Sequence, residues 1–209
     1  MNQHQAPRLI IGLLGGISSG KSTVSAILVR LGPGRAIDAD ALARVALDNA
    51  AKDGRLAAAL GPWAVSKAGT PDRKAIAKKV FGDPPALRAL ERITHPYVTA
   101  QIDDACSDHR EGRGEPILVL DVPLLIEAGM DRRCDALWFV DAPDAARFDR
   151  AEKRLGLSRD EVLSREAAQS PLDRKRGRAD LVIDNSGAET ALERQIAAGL
   201  HALGHSIAK

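Results

Sequence analysis

The sequence predicts a three-layer α/β protein with a five-stranded parallel sheet, and three observations lead to this prediction. Five short apolar segments are spread along the 209 residues, stretches of helical periodicity separate them, and a polar residue ends each apolar segment. Short apolar segments bounded by turn residues are typical of strands that are buried on both faces. Strands that alternate with helices form a parallel sheet with helices on both of its faces. Ligands of such sheets bind at the carboxyl ends of the strands.

The strands and helices follow from the order of these segments. Strands are predicted over residues 8–14, 36–37, 117–120, 136–140 and 181–183. The pattern between the second and third strands predicts only helices, over 41–60, 72–81, 84–96 and 97–108, with a loop over 61–71 and a break at Pro96. Further helices are predicted over 21–31, 144–155, 159–169 and 189–203.

The composition excludes several classes of protein. Apolar residues make up 44% and charged residues 28% of the chain, which is ordinary for a globular protein. A net charge of +2 gives no overall basic field for nucleic acid, and no apolar segment approaches the roughly 18 residues that span a bilayer. Two cysteines, Cys106 and Cys134, cannot form a disulfide framework. We therefore expect a cytoplasmic protein with no nucleic-acid or membrane partner, and its oligomeric state stays open.

The segment Gly15–Ser22 lies between the first strand and the first helix and fits the pattern G-x-x-x-x-G-K-S/T. Its glycines let backbone N–H groups turn toward phosphate oxygens, and the helix N-terminus adds partial positive charge. Lys21, expected to be exposed at the mouth of the loop, is placed to reach the β- and γ-phosphates, and Ser22 to ligate Mg²⁺. The predicted nucleoside triphosphate site consists of Gly16, Ile17, Ser18, Ser19, Gly20, Lys21, Ser22 and Thr23.

Three classes of protein that carry this motif compete. A GTPase switch needs Asn-Lys-x-Asp, and no asparagine here precedes a lysine. A remodelling ATPase usually has Asp-Glu after an apolar strand, whereas Asp121 is followed by Val122. A small-molecule kinase needs an acceptor site and a mobile basic cover. Residues 41–115 are the candidate acceptor site, and residues 147–178, with ten basic and six acidic side chains, are the candidate cover.

Four further motifs, which with the loop extend over nearly the whole chain, make it resemble the dephospho-coenzyme A kinase family. They are Asp38–Arg44 (DADALAR), Leu90–Pro96 (LERITHP), Leu120–Glu127 (LDVPLLIE), and Lys175-Arg176 followed by ADLVIDN over 179–185. The phosphate loop is generic, but these four motifs in this order are specific. The resemblance implies transfer of the γ-phosphoryl group of ATP, with Mg²⁺, to the ribose 3′-hydroxyl of dephospho-coenzyme A. Another nucleoside or nucleotide kinase and a catalytically weak nucleotide-binding regulator are the alternatives.

The resemblance also implies the domain organisation and the roles of single residues. It implies a P-loop NTPase fold with a core of about 1–40, 116–145 and 179–209, a helical coenzyme A-binding insertion of about 41–115 and a basic lid of about 146–178. Asp40, Lys21 and Arg150 are the expected catalytic residues, and helix capping is the structural alternative for Asp40. ATP contacts are expected from Arg150, Arg154 and Asn185, and metal contacts from Ser22, Asp40 and Asp121. Acceptor contacts are expected from Leu14, Asp40, Arg44, Asp72, Arg73, Phe81, His95, Pro123, Leu124, Leu125 and Glu127.

Two positions depart from the usual pattern of the family. Leu14 stands where the family usually has threonine, and Ser18 where it usually has glycine. Leu14 removes a hydroxyl group from the end of the strand, and a serine at position 18 costs free energy if its φ is positive. Because Lys21 and Ser22 are retained, we expect these departures to affect efficiency rather than reaction type.

Overall fold

A computed structural model describes residues 7–80 and 82–205 of the chain. The chain forms two compact units. The sheet unit contains the residues up to Ile37 together with those from Cys106 onward, and the helical unit contains Asp38–Ala105. Within the described ranges, no helix combines the length and the apolar character needed to cross a membrane.

The predicted five-stranded parallel sheet is confirmed, and its strand order is β2-β3-β1-β4-β5. The central strand β1 pairs in parallel with β3 on one side and β4 on the other, and β4 pairs in parallel with β5. From β1 the chain continues to β2 and β3 on one side, and the connection from β3 to β4 then crosses to the other side, so the strand order reverses beside β1. Open α/β sheets bind their ligands at such a reversal. The strands are β1 (Leu9–Leu14), β2 (Gly34–Asp38), β3 (Ile117–Asp121), β4 (Ala136–Asp141) and β5 (Leu181–Asp184).

Nine α-helices occur within the described residues. They are α1 (Lys21–Leu31), α2 (Ala39–Lys52), α3 (Arg55–Leu60), α4 (Arg73–Val80), α5 (Pro84–Arg110), α6 (Asp144–Leu155), α7 (Arg159–Ala167), α8 (Leu172–Gly177) and α9 (Glu189–Ala202). Short 3₁₀ helices cover Pro62–Ala64 and Met130–Arg133. The sequence did not predict α8, because four of its six residues are charged and it has no apolar periodicity.

Burial of apolar side chains on both faces of β1 holds the centre of the sheet unit. Ile11 and Leu13 are completely buried on one face, in one cluster with Leu28 of α1 and Trp138 of β4. Ile10, on the opposite face of the strand, is completely buried as well. Each such side chain contributes about 1.5–3 kcal/mol on burial. The carboxyl end of β1, where the phosphate loop begins, is therefore anchored among buried apolar side chains.

The helical unit differs from the sequence prediction at two points. A single helix over 41–60 is wrong, because Gly54 adopts a left-handed φ of 83° and separates α2 from α3. The break predicted at Pro96 is also wrong, since α5 continues through it. Val98 and Ile102 are buried on consecutive turns beyond Pro96, and burying them stabilises the helix by about 1.5–3 kcal/mol each. That gain offsets the cost of about 3 kcal/mol for an internal proline.

Candidate functional site

The phosphate loop connects β1 to α1 at the point where the strand order reverses. Two of its glycines are required by their surroundings. Gly20 has a φ of 99°, and a Cβ there would lie 2.1 Å from Nδ2 of Asn185. Gly15 has a φ of 147°, and a Cβ there would lie 2.7 Å from the carbonyl oxygen of Val140. No side chain could be added at either position without moving the loop or its neighbours.

Ser18 has a left-handed φ of 58°, the only positive value for a non-glycine residue in the described parts of the chain. Glycine, which is usual in the family at this position, adopts this conformation without a steric penalty. In serine the same conformation costs roughly 1–2 kcal/mol. The departure noted in the sequence therefore leaves the loop with a strained residue. The surrounding structure has to supply the free energy that holds this residue in place.

Lys21 is half-buried rather than exposed, which corrects the expectation from the sequence. Its Nζ donates hydrogen bonds to the carbonyl oxygens of Gly15 at 3.0 Å and Gly16 at 2.9 Å. Desolvation lowers the pKa of Lys21 to about 8, and Asp121 is the strongest of the nearby charges that oppose this shift. In the ligand-free protein, the ammonium group is thus held by carbonyl oxygens of the same loop that is predicted to bind phosphates.

The lowered pKa of Lys21 predicts a pH dependence of nucleotide binding. The ammonium is charged below about pH 8 and loses its proton as the pH rises above that value. We expect the Kd for ADP to increase about tenfold between pH 7 and pH 9, because the protonated lysine binds the phosphates. Equilibrium binding of ADP across this range checks the prediction. Lys21→Arg keeps its charge throughout and is expected to show no such rise, and a wild-type Kd that stays constant to pH 9 would contradict the assignment.

Arg150 of α6 and Asn185 after β5 both approach the loop. Two nitrogens of the Arg150 guanidinium lie 3.5 Å from the carbonyl oxygen of Ser19 and 3.3 Å from that of Asn185, which are long hydrogen bonds. Nδ2 of the buried Asn185 donates to the carbonyl oxygen of Ser19 at 2.8 Å. Asn185 thus supports the loop directly, in addition to the ATP contact expected from the sequence. Arg154, one turn after Arg150, is exposed.

The candidate metal ligands of the sheet unit are Ser22 and Asp121. Ser22 is exposed in the first turn of α1, and Asp121 is half-buried at the end of β3. Within residues 7–80 and 82–205, no group of three or more His, Cys, Asp or Glu side chains is arranged to hold a metal ion. Mg²⁺ in phosphoryl-transfer enzymes usually takes only one or two protein oxygens and keeps waters and substrate phosphates. A hydroxyl and a carboxylate are suitable oxygen donors for it.

The expected acceptor residues of the sheet unit fall into two groups. Leu14 and Leu125 are buried and belong to the core. Pro123 and Leu124 are half-buried, so part of their surface is available to a ligand.

Lys175 of α8 organises the segment that contains the remaining acceptor candidate, Glu127. Its buried Nζ lies 3.3 Å from Oε1 of Glu127 and donates to Gln169 at 2.8 Å. Glu127 also accepts the backbone N–H of Ser170 at 2.6 Å. These partners lower the pKa of Glu127 against the effect of its burial. The sequence motif contained Lys175, but only the structure shows that it is buried and paired.

The helical unit carries Asp40 in the first turn of α2, where its side chain is exposed. The capping alternative for Asp40 is wrong, because Asp38 is the N-cap and accepts the N–H of Ala41 at 3.1 Å. Arg44 lies one turn later and is exposed.

The other expected acceptor residues of the helical unit have structural partners or are exposed. Asp72 accepts the backbone N–H of Ala75 at 2.9 Å at the start of α4. Arg73 pairs with Asp48 at 2.8 Å, and both side chains are 43% exposed, so this pair contributes little to stability. His95 is exposed on α5. Phe81 lies outside the described residues.

The sequence comparisons with known proteins agree on one family. The sequence profile of dephospho-CoA kinases matches residues 9–190. A dephospho-CoA kinase of Symbiobacterium thermophilum is 44% identical over 195 residues, which cover 92% of this chain and 80% of the relative. The crystal structure of TT1252 from Thermus thermophilus has a TM-score of 0.76 at 42% identity and covers 96% of this chain and 100% of its own. The dephospho-CoA kinase of Campylobacter jejuni has a similar fold, with a TM-score of 0.67 at 23% identity, over 93% and 96% of the two chains.

Proposed function

The chain belongs to the dephospho-CoA kinase family, and from this premise we propose how its residues transfer a phosphoryl group from ATP to dephospho-coenzyme A. The reaction places the γ-phosphoryl group on the ribose 3′-hydroxyl and yields coenzyme A and ADP. The observation that carries the proposal is the phosphate loop at the central strand, with Lys21 inside it and Arg150 beside it. We assign this reaction to the cytoplasm.

Donor binding begins at the loop and the N-terminus of α1. No side chain caps α1 in the described part of the chain, so the N–H groups of its first turn are available to phosphate oxygens. Lys21 exchanges its contacts with Gly15 and Gly16 for the β- and γ-phosphates. The charge of the phosphates compensates the desolvation that lowers the pKa of the lysine in the ligand-free protein.

Transfer itself depends on positioning and on charge stabilisation rather than on covalent chemistry by the protein. Asp40 orients the 3′-hydroxyl and accepts its proton. Arg150 stabilises the negative charge that spreads over the transferring group. Ser22 and Asp121 would hold Mg²⁺, which would supply positive charge to the phosphates of the donor. The other expected acceptor residues, among them Arg44, Pro123 and Leu124, bind dephospho-coenzyme A in this proposal.

An assay of ADP release tests the proposed function. Dephospho-coenzyme A is compared as acceptor with a panel of nucleosides and nucleotides at saturating ATP. The proposal requires that dephospho-coenzyme A is by far the best acceptor. A preference for a nucleoside would assign the chain to another group of kinases, and ADP binding without transfer to any acceptor would point to a nucleotide-binding regulator.

Asp40→Asn tests the proposed role of this carboxylate. We expect turnover to fall by roughly 10²-fold or more, the effect of losing a positioned base. The melting temperature and the affinity for ADP are expected to stay at the wild-type values, because Asp38 caps the helix and the phosphate loop is unchanged. Steady-state kinetics and thermal unfolding measure both quantities.

Asp38→Ala is the matched comparison, and the opposite pattern is expected from it. Loss of the cap costs about 1 kcal/mol of stability, so the melting temperature falls while turnover changes little. Normal turnover in Asp40→Asn would remove Asp40 from the catalytic residues.

A further inference from the structure

The backbone of Ile17, in the middle of the phosphate loop, is held at both of its polar atoms by a pair of side chains from α6 and α7. The N–H of Ile17 donates to Oε1 of Glu166 at 2.7 Å. The carbonyl oxygen of Ile17 accepts from Nη1 of Arg147 at 3.2 Å. The N–H of Ile17 is therefore directed to a carboxylate and not into the phosphate site.

The two side chains also bind each other, and Arg147 is buried while Glu166 is mostly shielded from solvent. Nη1 of Arg147 lies 2.5 Å from Oε1 of Glu166, and Nη2 lies 3.3 Å from Oε2. The Arg147 side chain is 4% exposed and that of Glu166 is 11% exposed. Asp144 binds the guanidinium from the other side at 2.8 Å. A buried ion pair that is satisfied in this way is geometrically well defined, although it adds little net stability compared with apolar side chains.

The backbone of the phosphate loop at Gly16 lies in direct contact with Arg147 and Glu166. A Cβ at Gly16 would lie 2.1 Å from Nη1 of Arg147 and 2.7 Å from Oε1 of Glu166. The side chain of Ile17 packs against the small apolar cluster of α6 and α7 that contains Ala151 and Val162. Hydrogen bonds, close backbone approach and apolar packing thus all fix the same peptide.

The Ile17 peptide that Arg147 and Glu166 contact lies beside the residues that shape the phosphate loop. Ile17 immediately precedes Ser18, the strained residue of the loop. On its other side Ile17 follows Gly16, whose carbonyl oxygen accepts a hydrogen bond from Lys21. A rotation of the Ile17 peptide would change the direction of the following N–H groups. Small displacements of a phosphate-binding backbone are costly for binding and transfer.

We propose that Arg147 and Glu166 are positioning residues that hold the Ile17 peptide and thereby keep the phosphate loop in its nucleotide-binding conformation. The inference rests on the proposed function only in that the loop binds the phosphates of the donor. It assigns to α6 and α7 a contact with the loop that is separate from the phosphate contact proposed for Arg150.

Two double variants separate positioning from a purely structural ion pair. Arg147→Met with Glu166→Leu removes the charges and all hydrogen bonds to Ile17 but retains bulk. Arg147→Gln with Glu166→Gln removes the charges but keeps a donor for the Ile17 carbonyl and an acceptor for its N–H. Because apolar replacement of a buried ion pair is often neutral for stability, we expect the Met/Leu variant to melt near the wild-type temperature. The Gln/Gln variant is expected to do the same, because its amides keep hydrogen-bond partners.

Equilibrium binding of ADP is the readout. The Met/Leu variant is expected to bind ADP about tenfold more weakly, the effect of losing hydrogen bonds to a charged group, and the Gln/Gln variant within about threefold of wild type. The control uses the exposed ion pair of Asp149 and Lys153 on α6. Asp149→Asn with Lys153→Gln is expected to leave the affinity for ADP unchanged. Wild-type affinity in the Met/Leu variant, or equal loss in both double variants, would overturn the proposal.

A single substitution, Glu166→Ala, covers the case in which the Met/Leu protein does not fold. Glu166→Ala removes the acceptor for the Ile17 N–H and the ion pair between Glu166 and Arg147. The guanidinium stays paired with Asp144 and keeps its hydrogen bond to the Ile17 carbonyl oxygen. The same tenfold loss of ADP affinity is expected, together with faster hydrogen exchange at Ile17, and unchanged affinity would reject the proposal. Because ADP binding needs no acceptor, these results do not depend on whether dephospho-coenzyme A proves to be the substrate.

Discussion

Lys21→Ala is expected to lose phosphoryl transfer by roughly 10³-fold or more, since Lys21 supplies the charge placed inside the loop. The protein is expected to stay folded. The substitution leaves the carbonyl groups of Gly15 and Gly16 without their lysine donor, but it also removes an ammonium group that is desolvated in the ligand-free protein. These two effects on stability are each about 1–3 kcal/mol and oppose each other.

The measurement combines ADP release with dephospho-coenzyme A and thermal unfolding of the ligand-free protein. Lys153→Ala is the matched control, because Lys153 is an exposed lysine of α6 that pairs only weakly with Asp149. Its activity and melting temperature are expected to equal those of the wild type. Activity above a few per cent of wild type in Lys21→Ala would show that another group holds the donor phosphates.

Arg150→Ala is expected to lower turnover by about 10³-fold, with little change in the KM for dephospho-coenzyme A. In the ligand-free protein the guanidinium makes only long contacts with the carbonyl oxygens of Ser19 and Asn185. Its strongest interactions are therefore expected with the charge of the transferring group, and an interaction made in the transition state affects turnover rather than substrate binding.

Arg154→Ala is the comparison for this variant, because Arg154 lies on the same helix one turn later and is exposed. A smaller loss of turnover is expected from it. Initial-rate kinetics with both substrates varied distinguish the outcomes. If Arg150→Ala instead raised a KM and left turnover unchanged, Arg150 would be a residue of ground-state binding.

The sequence alone was sufficient for the sheet, the position of the phosphate loop and the family. Strands with an apolar pattern on both faces, such as 117–120 and 136–140, are local features, and so is the glycine spacing of the loop. Such features can be predicted from the sequence because they depend on residues that are close together along the chain. The family motifs likewise depend only on the identity and order of residues.

Only the tertiary structure decided which polar groups are partners. Glu166 and Ile17 are 149 positions apart, and Asn185 and Ser19 are 166 positions apart, so no spacing in the sequence links them. The same applies to the continuation of α5 through Pro96, which depends on burial of Val98 and Ile102. The lowered pKa of Lys21 arises from desolvation and from the charges of Asp121 and other residues brought together by folding. Burial and pairing are properties of the packed molecule, because they depend on which segments exclude water from one another.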